Sequence, residues 1–232
     1  MKLPPLALLV GGYGKRLHPY TNKIPKCLIN ISNKTFLEII IDSLIQQGIK
    51  KIILCVYYKE NLIKKLLKDY KNNKVKIIFS SDGNRKIGNG GAIKKALPFL
   101  GKHFFVMYGD TFLNINFKKV YKTYRLNKNY ILLTVYKNKN KFDYSNCSIA
   151  KNNLVFYRKI KNKKLDYIDY GLSVFDSKFF KNYPNKKFEL SELLYKYSLK
   201  KKIKGYVATK RFYHINDVKS LNETKKFLLK KL

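Results

Sequence analysis

The sequence predicts an α/β fold of the Rossmann-like type, in which a mixed, mainly parallel sheet is sandwiched by helices. Three features of the chain indicate this fold. Short apolar runs alternate with segments of helical periodicity in the first half, a glycine-rich loop follows the first apolar run, and an aspartate follows a later one. Strands that alternate with helices build a parallel sheet through right-handed crossovers. Such sheets bind ligands at the carboxyl ends of their strands.

The first half of the chain supplies this alternation. Residues 6–10 form a continuous apolar run, as expected of a parallel strand that is covered on both faces. Residues 36–47 have apolar positions at helical spacing, and Gly48 provides a stop signal. The same reasoning predicts, in order, a strand at 50–57, a helix at 60–71, a strand at 75–79, a helix at 92–97 and a strand at 103–108.

The second half of the chain has a different character. It contains short apolar runs separated by turns rich in lysine and asparagine, followed by two late segments of helical spacing. We predict strands at 131–136, 147–150, 154–157 and 170–175, and helices at 189–199 and 220–229. Since neither an internal repeat nor a linker rich in proline and serine divides the sequence, we expect one domain over residues 1–232.

The formal net charge of +36 would by itself suggest a polyanionic partner such as nucleic acid. Only five of the 50 basic residues are arginine, and the lysines are spread along the whole chain. Nucleic-acid readers concentrate arginine at bidentate contacts and carry a recognisable binding module, and the sequence shows neither. We therefore predict no specific nucleic-acid partner, although the diffuse positive field attracts anionic substrates.

Cysteine usage and the first residues bear on the cellular compartment. Cys27, Cys55 and Cys147 are widely separated, so neither a disulfide framework nor a zinc site is indicated. Residues 1–10 contain only a short apolar run, include two prolines and lack the small-x-small pattern of a cleavage site. No segment has the roughly 18 consecutive apolar residues that a membrane span needs. The expectation is a cytoplasmic protein with no membrane partner.

The glycine-rich loop after the first strand is the first candidate site. Gly11, Gly12 and Gly14 permit positive φ and close backbone approach, so successive amide groups can point at a phosphate or a base edge. Arg16 and Lys26 add two cations that can contact phosphate oxygens. This grouping suits a triphosphate, whereas the glycines alone are equally compatible with an ordinary strand-to-helix turn. Neither the P-loop pattern nor the dinucleotide fingerprint is present.

The full loop resembles that of the sugar-1-phosphate nucleotidylyltransferases, which carry G-G-x-G-T-R-L-x-P-L-T-x-x-x-P-K after their first strand. Lys15 stands at the usual threonine, which puts a cation where the family has a hydroxyl, and Tyr20 stands at the usual leucine. The resemblance implies nucleotide binding by Val10, the three glycines and Lys15, with Arg16 and Lys26 as catalytic residues. The matching positions are Gly11, Gly12, Gly14, Arg16, Leu17, Pro19, Thr21, Pro25 and Lys26.

Two further segments match the family in order. Residues 87–92 resemble its L-G-T-G-G-A segment, which implies that Gly90 and Gly91 help to hold the nucleotide. Taken alone, this segment is equally typical of a helix-entry turn. Asp110 follows the strand at 103–108 like the family's G-D, whose aspartate holds Mg²⁺. Without the resemblance, Asp110 would be read as a cap or a solvated side chain. Mg²⁺ itself favours one or two carboxylates together with substrate phosphates.

In the second half, three segments resemble the sugar-facing elements of a subgroup related to D-glycero-D-manno-heptose 1-phosphate guanylyltransferases. The resemblance implies sugar binding by Asn146, Asp169 and Gly171, and a contact of Lys159 with the sugar phosphate. Without it, Lys159 is one lysine among many. The three segments are residues 143–146, 157–159 and 167–172.

The family's second metal carboxylate has no direct counterpart in this chain. Its F-x-[DE]-I-G element corresponds to residues 212–216, where His214 takes the acidic position. Imidazole is a poorer partner for Mg²⁺ than an oxygen ligand. Three interpretations stay open: His214 binds the metal, Asp217 replaces the carboxylate after a small shift of the loop, or His214 is only a hydrogen-bonded residue at a helix entry.

The resemblance spans about residues 6–230. It implies attack of a sugar 1-phosphate on the α-phosphorus of a nucleoside triphosphate, with GTP as first choice, a heptose or hexose as the sugar, and pyrophosphate as the second product. It also implies a nucleotide-binding half over about 1–130 and a sugar-binding half over about 131–232. The alternatives are a phosphocholine-type cytidylyltransferase and a non-catalytic nucleotide-binding relative. The oligomeric state stays open, and a homodimer is one of the states allowed.

Overall fold

The structure of the chain is a computed structural model that describes residues 1–70, 72–158 and 165–231. Its strands are β1 (Leu6–Leu9), β2 (Asn30–Ile31), β3 (Lys34–Thr35), β4 (Lys51–Val56), β5 (Lys76–Ser81), β6 (His103–Tyr108), β7 (Thr111–Phe112), β8 (Ile131–Lys137), β9 (Cys147–Ile149), β10 (Val155–Tyr157), β11 (Tyr167–Asp176), β12 (Ile203–Ala208) and β13 (Tyr213–His214). Its α-helices are α1 (Phe36–Gln46), α2 (Glu60–Asp69), α3 (Gly88–Leu100), α4 (Phe117–Leu126), α5 (Lys178–Lys181), α6 (Leu190–Leu199) and α7 (Val218–Leu229).

A nine-stranded sheet forms the centre of the fold. Seven of its strands follow the order β10-β9-β11-β6-β1-β4-β5, while β8 pairs with β11 and β12. The neighbours β5, β4, β1 and β6 run parallel, whereas β11 is antiparallel to both β6 and β8. With helices on both faces, this architecture confirms the predicted fold class of a mixed, mainly parallel sheet sandwiched by helices.

The hydrophobic core lies on the two faces of this sheet. Along β1, Leu6 and Leu8 belong to one cluster and Ala7 and Leu9 to the other, because successive side chains of a strand point to opposite faces. Helices α1, α4 and α7 contribute to the first cluster, and α3, α5 and α6 contribute to the second. All residues of β1 are buried, which explains why the strand is a continuous apolar run in the sequence.

The first helix shows how local sequence sets the boundary of an element. The Thr35 hydroxyl accepts a hydrogen bond from the Glu38 amide at 3.3 Å, and Glu38 Oε2 accepts one from the Thr35 amide at 2.7 Å. This capping box satisfies two amide groups that a helix start leaves unpaired. Helix α1 ends at Gln46, and Gly48 follows with a φ of 92°, as expected of a helix stop.

Most predicted elements occur close to their predicted bounds, but two long elements of the structure have no counterpart in the prediction, and neither do the short elements β2, β3, β7, β13 and α5. The sequence pattern assigns nothing to the stretches that form helix α4 and strand β12. Helix α3 begins at Gly88 rather than at residue 92, and β11 begins at Tyr167 rather than at residue 170. Lys71, the predicted end of the second helix, lies outside the described residues.

Strand β11 changes its neighbour along its length. Near its start it pairs with β9, and from Leu172 onward the same edge pairs with β6. The register toward β8 shifts between Asp169 and Ser173, and Gly171 has a φ of 98°, a conformation that favours glycine. Within the described residues, the edge of β11 between β9 and β6 therefore faces an opening in the sheet rather than another strand.

The cysteines are buried free thiols. Burial raises the pKa of Cys27 and Cys55 to about 12, so both stay protonated at neutral pH. In the described part of the chain, no helix combines the length and apolar character required to cross a bilayer. The division of the chain into two functional halves near residue 130 stays a prediction.

Candidate active site

Two loops meet at the carboxyl ends of β1 and β6, which are neighbours in the sheet. The Gly109 amide donates to the Leu9 carbonyl oxygen at 3.0 Å, and a Cβ at position 109 would clash with the side chain of Val10. Strand β1 has β4 on its other edge, so the strand order reverses at β1. In open α/β sheets, ligands bind in the crevice at such a reversal.

The glycine-rich loop is held by local contacts. Gly14 has a φ of 67°, and its carbonyl oxygen accepts a hydrogen bond from the Thr21 hydroxyl at 2.9 Å. A 3₁₀ turn follows, in which Leu17 is buried while Lys15 and Arg16 are exposed. The turn therefore anchors one apolar side chain in the core and leaves two cations exposed to solvent.

A small cavity of about 90 Å³ lies between the two loops. Val10, Gly11 and Gly12 line it from the glycine-rich loop, and Lys26 and Asp110 line it from the neighbouring segments. The structure thus brings together five residues that the family resemblance implies for nucleotide binding, catalysis and metal binding.

The glycines at the start of α3 have a packing role. A Cβ at Gly90 would clash with the Phe188 ring, and the Gly91 amide donates to the Phe188 carbonyl oxygen at 3.1 Å. Both glycines are buried. Their neighbour Asn89 lines the small cavity and a larger one beside it. The side chain that this segment places at the crevice is therefore that of Asn89.

The larger cavity, of about 520 Å³, extends from the crevice to the open edge of β11. It shares Asn89, Tyr108 and Asp110 with the small cavity, so the two adjoin and form one cleft. The described residues that line it are Arg16, Asn89, Tyr108, Asp110, Thr111, Asp143, Tyr144, Ser145, Asn146, Tyr157, Ile168, Asp169, Tyr170, Gly171, Glu189, Leu190, Ser191, Phe212, His214 and Asn216.

This larger cavity is acidic in a strongly basic protein. Asp110, Asp143, Asp169 and Glu189 line it, and Arg16 is the one basic residue among its described lining. The whole chain has 50 lysine and arginine residues against 14 acidic ones. The cavity therefore offers carboxylate acceptors, which suit a ligand rich in hydroxyl donors.

Lys26 connects the two sides of the cleft. Its ammonium donates to Asp110 Oδ2 at 2.5 Å and to Asn216 Oδ1 at 3.1 Å, and the Lys26 and Asp110 side chains are 15% and 27% exposed. Thr111 donates its hydroxyl to Asp110 Oδ1 at 2.9 Å. Burial would raise the pKa of Asp110, but Lys26 and the Thr111 hydroxyl hold it below its usual value. Asp110 is therefore a carboxylate at neutral pH.

His214 and Asp217 have different surroundings. His214 is buried and lines the larger cavity, and burial lowers its pKa despite the opposing charges of Asp143, Asp110 and Asp217. Its ring is therefore neutral at neutral pH. Asp217 caps helix α7, where its Oδ1 accepts the Ser220 amide at 2.8 Å. This capping contact disfavours Asp217 as a metal ligand.

Asn146 and Asp169 shape the open edge of β11. Asn146 Oδ1 accepts the Asp169 amide at 2.8 Å, and Asp169 Oδ1 accepts the Gly171 amide at 2.9 Å. Burial raises the pKa of Asp169 to about 6, although the hydrogen bond from Gly171 opposes the shift. These three residues line the larger cavity, whereas Lys159 lies outside the described residues.

Asn89, Glu189 and Asn216 are among the polar residues of the cleft to which the sequence prediction assigns no role. The Asn89 amide donates to Glu189 Oε2 at 3.3 Å and thereby links the start of α3 to the residue before α6. The sequence contains only weak indications that these three residues belong to a site. Asn89 lies inside the L-G-T-G-G-A match, Glu189 begins a predicted helix, and Asn216 ends the element that corresponds to F-x-[DE]-I-G.

The cleft fits a divalent cation that is bound mainly through its substrate. Asp110 and Asn216 both direct an oxygen atom at the same point, where the Lys26 ammonium lies. Mg²⁺ is usually held by one or two carboxylates together with phosphates and water. Among the described residues, no group of three or more histidine, cysteine and acidic side chains could hold a metal. The donor set therefore suits a metal that brings phosphate ligands with it.

Comparison with known proteins identifies relatives over most of the chain. The family model described as nucleotidyl transferase matches residues 7–230. A D-glycero-alpha-D-manno-heptose 1-phosphate guanylyltransferase of Campylobacter jejuni is 38% identical over 160 residues, which cover 68% of this chain and 69% of that protein. A mannose-1-phosphate guanyltransferase of Aspergillus oryzae is 35% identical over 117 residues, which cover 49% of this chain and 32% of that protein.

Solved structures share the architecture. HddC from Yersinia pseudotuberculosis, solved in complex with GMP-PN, superposes with a TM-score of 0.82 at 25% identity, over 97% of this chain and 100% of that one. An inositol-1-phosphate CTP transferase from T. maritima also superposes with a TM-score of 0.82, at 20% identity, over 99% of this chain and 96% of that one. The second likeness shows the fold alone.

Proposed function

Because the chain belongs to the nucleotidyl transferase family and is a sugar-1-phosphate nucleotidylyltransferase, we propose that it transfers a guanylyl group from GTP to a heptose or hexose 1-phosphate. The products are a GDP-sugar and pyrophosphate. The observation that carries the proposal is the Lys26–Asp110 ion pair at 2.5 Å, which stands where the small cavity meets the acidic one. One cleft thus has room for a triphosphate beside a sugar.

The nucleotide side of the cleft offers cations and exposed backbone. Gly11 and Gly12 line the small cavity, where their amide groups can approach phosphates or the base. A guanidinium binds phosphate oxygens with two parallel hydrogen bonds. We therefore assign Arg16 to the β- and γ-phosphates and to the departing pyrophosphate. Lys26, which lies next to Asp110, is assigned to the α-phosphate.

The sugar side of the cleft offers acceptors and aromatic rings. The carboxylates of Asp143, Asp169 and Glu189 line the cavity and can accept hydrogen bonds from hydroxyl groups. Aromatic rings on the same lining supply apolar surface for the carbon skeleton of a sugar. Lys159 keeps its proposed contact with the sugar phosphate as a prediction. The aromatic lining residues are Tyr108, Tyr144, Tyr157, Tyr170 and Phe212.

The proposed mechanism depends on positioning and charge neutralisation. The attacking oxygen of the sugar phosphate is already an anion, so the protein has little acid–base chemistry to supply. Bound Mg²⁺ would polarise the α-phosphate and offset its charge. Arg16 and Lys26 offset the remaining charge of the triphosphate, while Asp169 and Asn146 orient the sugar for in-line attack.

The choice of base and sugar rests on likeness to relatives. The Campylobacter jejuni protein is named for guanylyl transfer to a heptose 1-phosphate, and HddC was solved with a guanine nucleotide analogue. The Aspergillus oryzae protein is named for the same base with mannose. We therefore rank GTP first among the triphosphates, and heptose 1-phosphate ahead of mannose 1-phosphate. We place the reaction in the cytoplasm, and a homodimer stays a prediction.

A pyrophosphate-release screen tests the proposal. The protein is incubated with ATP, CTP, GTP or UTP against the 1-phosphates of heptose, mannose, glucose and N-acetylhexosamine, with Mg²⁺ or with a chelator. We expect release with GTP and heptose or mannose 1-phosphate, and loss of release on chelation. Because aromatic rings beside carboxylates also suit a quaternary ammonium, CTP with phosphocholine is included. Release with that pair alone contradicts the proposal. A lack of release with every sugar 1-phosphate tested contradicts it as well.

A further inference from the structure

The ammonium of Lys26 lies between two oxygen atoms from distant parts of the chain. Its Nζ is 2.5 Å from Asp110 Oδ2, which follows β6, and 3.1 Å from Asn216 Oδ1, which precedes α7. The partners are 84 and 190 positions away from Lys26 in the sequence. Lys26 itself starts a 3₁₀ turn whose next residue, Cys27, is buried. Three anchored segments therefore converge on one cationic atom.

The two oxygens are of the type that hard divalent cations prefer. Asp110 Oδ1 accepts the Thr111 hydroxyl at 2.9 Å, which fixes the carboxylate so that Oδ2 faces Lys26. Carboxylate and carbonyl oxygens suit Mg²⁺ and Mn²⁺, whereas imidazole suits softer metals. Asn216 supplies such a carbonyl oxygen, and His214 does not.

We propose that Asp110 Oδ2 and Asn216 Oδ1 are the two protein ligands of the divalent metal, and that Lys26 occupies their cation position until the metal arrives with the triphosphate. Asn216 then replaces the second carboxylate that the family has at the position of His214. The inference rests on the proposed function, because the triphosphate is the anion that receives the displaced ammonium.

Lys26 and a divalent cation exclude each other from this position, since like charges repel strongly at contact distance. Without a triphosphate, the metal must displace the ammonium from a partly buried carboxylate and leave it without that partner. With a triphosphate bound, the ammonium moves to a phosphate oxygen. Metal and nucleotide therefore bind with positive coupling, and each raises the affinity of the other by the same factor.

Binding of Mn²⁺ to the protein without nucleotide tests the displacement. The fraction of free Mn²⁺ is followed by electron paramagnetic resonance. Lys26→Met removes the ammonium and keeps an unbranched side chain, so we expect it to bind Mn²⁺ about tenfold more tightly than the wild type. Lys23→Met removes the same charge from an exposed lysine of the same segment and is the matched control. Equal Mn²⁺ affinity of the wild type and Lys26→Met overturns the proposal.

Substitutions at Asn216 in the Lys26→Met background test the second ligand. Asn216→Gly removes the amide oxygen and should reduce Mn²⁺ affinity about fivefold or more. Asn216→Asp adds a charge and should raise the affinity instead. His214→Gln should leave the affinity unchanged. If His214→Gln weakens Mn²⁺ binding and Asn216→Gly does not, the second ligand is His214 and the assignment of Asn216 is wrong.

Failure of this inference can be distinguished from failure of the proposed function, because Mn²⁺ binding is measured without either substrate. If Lys26→Met binds Mn²⁺ more tightly than the wild type but the wild type releases no pyrophosphate, the metal position is supported and the proposed function is wrong. If the wild type releases pyrophosphate but Lys26→Met binds Mn²⁺ no more tightly than the wild type, the proposed function is supported and the inference is wrong. The unfolding midpoint of each variant is measured as well. Lys26→Gln, with the same expected result, replaces Lys26→Met if that variant does not fold.

Discussion

The glycine-rich loop and the acidic cavity adjoin, yet they are built in opposite ways. The loop collects its cations and its glycines within residues 10–26, one contiguous stretch of sequence. The cavity takes its carboxylates from four separate places: after β6, before β9, within β11 and before α6. The proposed triphosphate side can therefore be recognised in the sequence, whereas the proposed sugar side exists only once the sheet has assembled.

The two regions also differ in charge. In a chain of net charge +36, the loop follows the bulk composition, while the cavity opposes it. Carboxylates repel phosphate groups and accept hydrogen bonds from hydroxyls. Under the proposed function, this separation orients a sugar 1-phosphate, because its phosphate is favoured beside Lys26 and its ring beside Asp169 and Glu189.

Removing the carboxylate at the junction of the two regions should have the largest effect. Asp110→Asn keeps the shape of the side chain and should lower kcat by about 100- to 1,000-fold. This corresponds to a loss of about 2.7–4 kcal/mol of transition-state stabilisation, the scale for one preorganised electrostatic group. Steady-state pyrophosphate release measures the loss, with Asp166→Asn, at an exposed residue, as the control. Full turnover by Asp110→Asn would remove the metal assignment.

The sugar side should respond separately from the nucleotide side. Asp169→Asn removes a charged acceptor and should raise the KM for the sugar 1-phosphate about tenfold, since a hydrogen bond to a charged group contributes about 1.5–3 kcal/mol. The KM for GTP should stay unchanged. Arg16→Ala should impair the use of GTP instead. If Asp169→Asn altered both KM values equally, the functional distinction between the two regions would disappear.

The acidic cavity and the junction of the two regions should also differ in how pH affects stability. Folding raises the pKa of Asp169 from 3.8 to about 6, so its contribution to stability is fully present below about pH 4 and is lost as the pH rises through about 6. Asp110, whose pKa is lowered, loses its contribution as the pH falls instead. Between pH 4 and pH 8, the unfolding free energy of Asp169→Asn should therefore rise by about 3 kcal/mol relative to that of the wild type. Urea unfolding at pH 4, 6 and 8 measures the unfolding free energy of both proteins. A difference between them that does not change with pH would contradict the prediction.

The conformation of the glycine-rich loop should have the smallest effect on stability. Gly14 and Gly48 have φ values of 67° and 92°. A Cβ at Gly14 would lie 3.0 Å from Thr21 Cγ2 and 3.1 Å from Lys26 Cβ, whereas a Cβ at Gly48 meets open space. Each alanine variant should lose about 1 kcal/mol, the loss being larger at Gly14. Calorimetry should show weaker GTP binding for Gly14→Ala alone, and equal weakening in Gly48→Ala would count against a local role of the loop.

The fold could be predicted where one element has one simple pattern. Strand β1 is a continuous apolar run, and α1 has both a capping residue and a glycine stop. Helix α4 carries its buried side chains Phe117, Val120 and Tyr124 among lysines, which hides its apolar stripe. Strand β12 breaks its pattern with Lys204 and Gly205. In a chain with this much lysine, elements at the margin of the core have too few apolar residues for a clear hydrophobic periodicity, so the sequence pattern does not predict them.

The site could be predicted where a motif is contiguous. Arg16, Lys26 and Asp110 are found by pattern, and the fold brings them to one cleft. Asn216 reaches Asp110 only because two-residue strands β13 and β7 pair, with the Ile215 amide donating to the Asp110 carbonyl oxygen at 3.0 Å. So short a pairing has no recognisable signature in sequence, and the same holds for the contact of Asn89 with Glu189.

The most direct test of a shared cleft for both substrates is the fate of the α-phosphorus of GTP. The protein is incubated with Mg²⁺, heptose or mannose 1-phosphate, and GTP labelled at that atom. A shared cleft predicts that the label moves into a GDP-sugar while unlabelled pyrophosphate appears in equal amount, and that Arg16→Ala and Asp110→Asn slow both products together. Label that stays in GTP, or that leaves as GMP without any GDP-sugar, would contradict it.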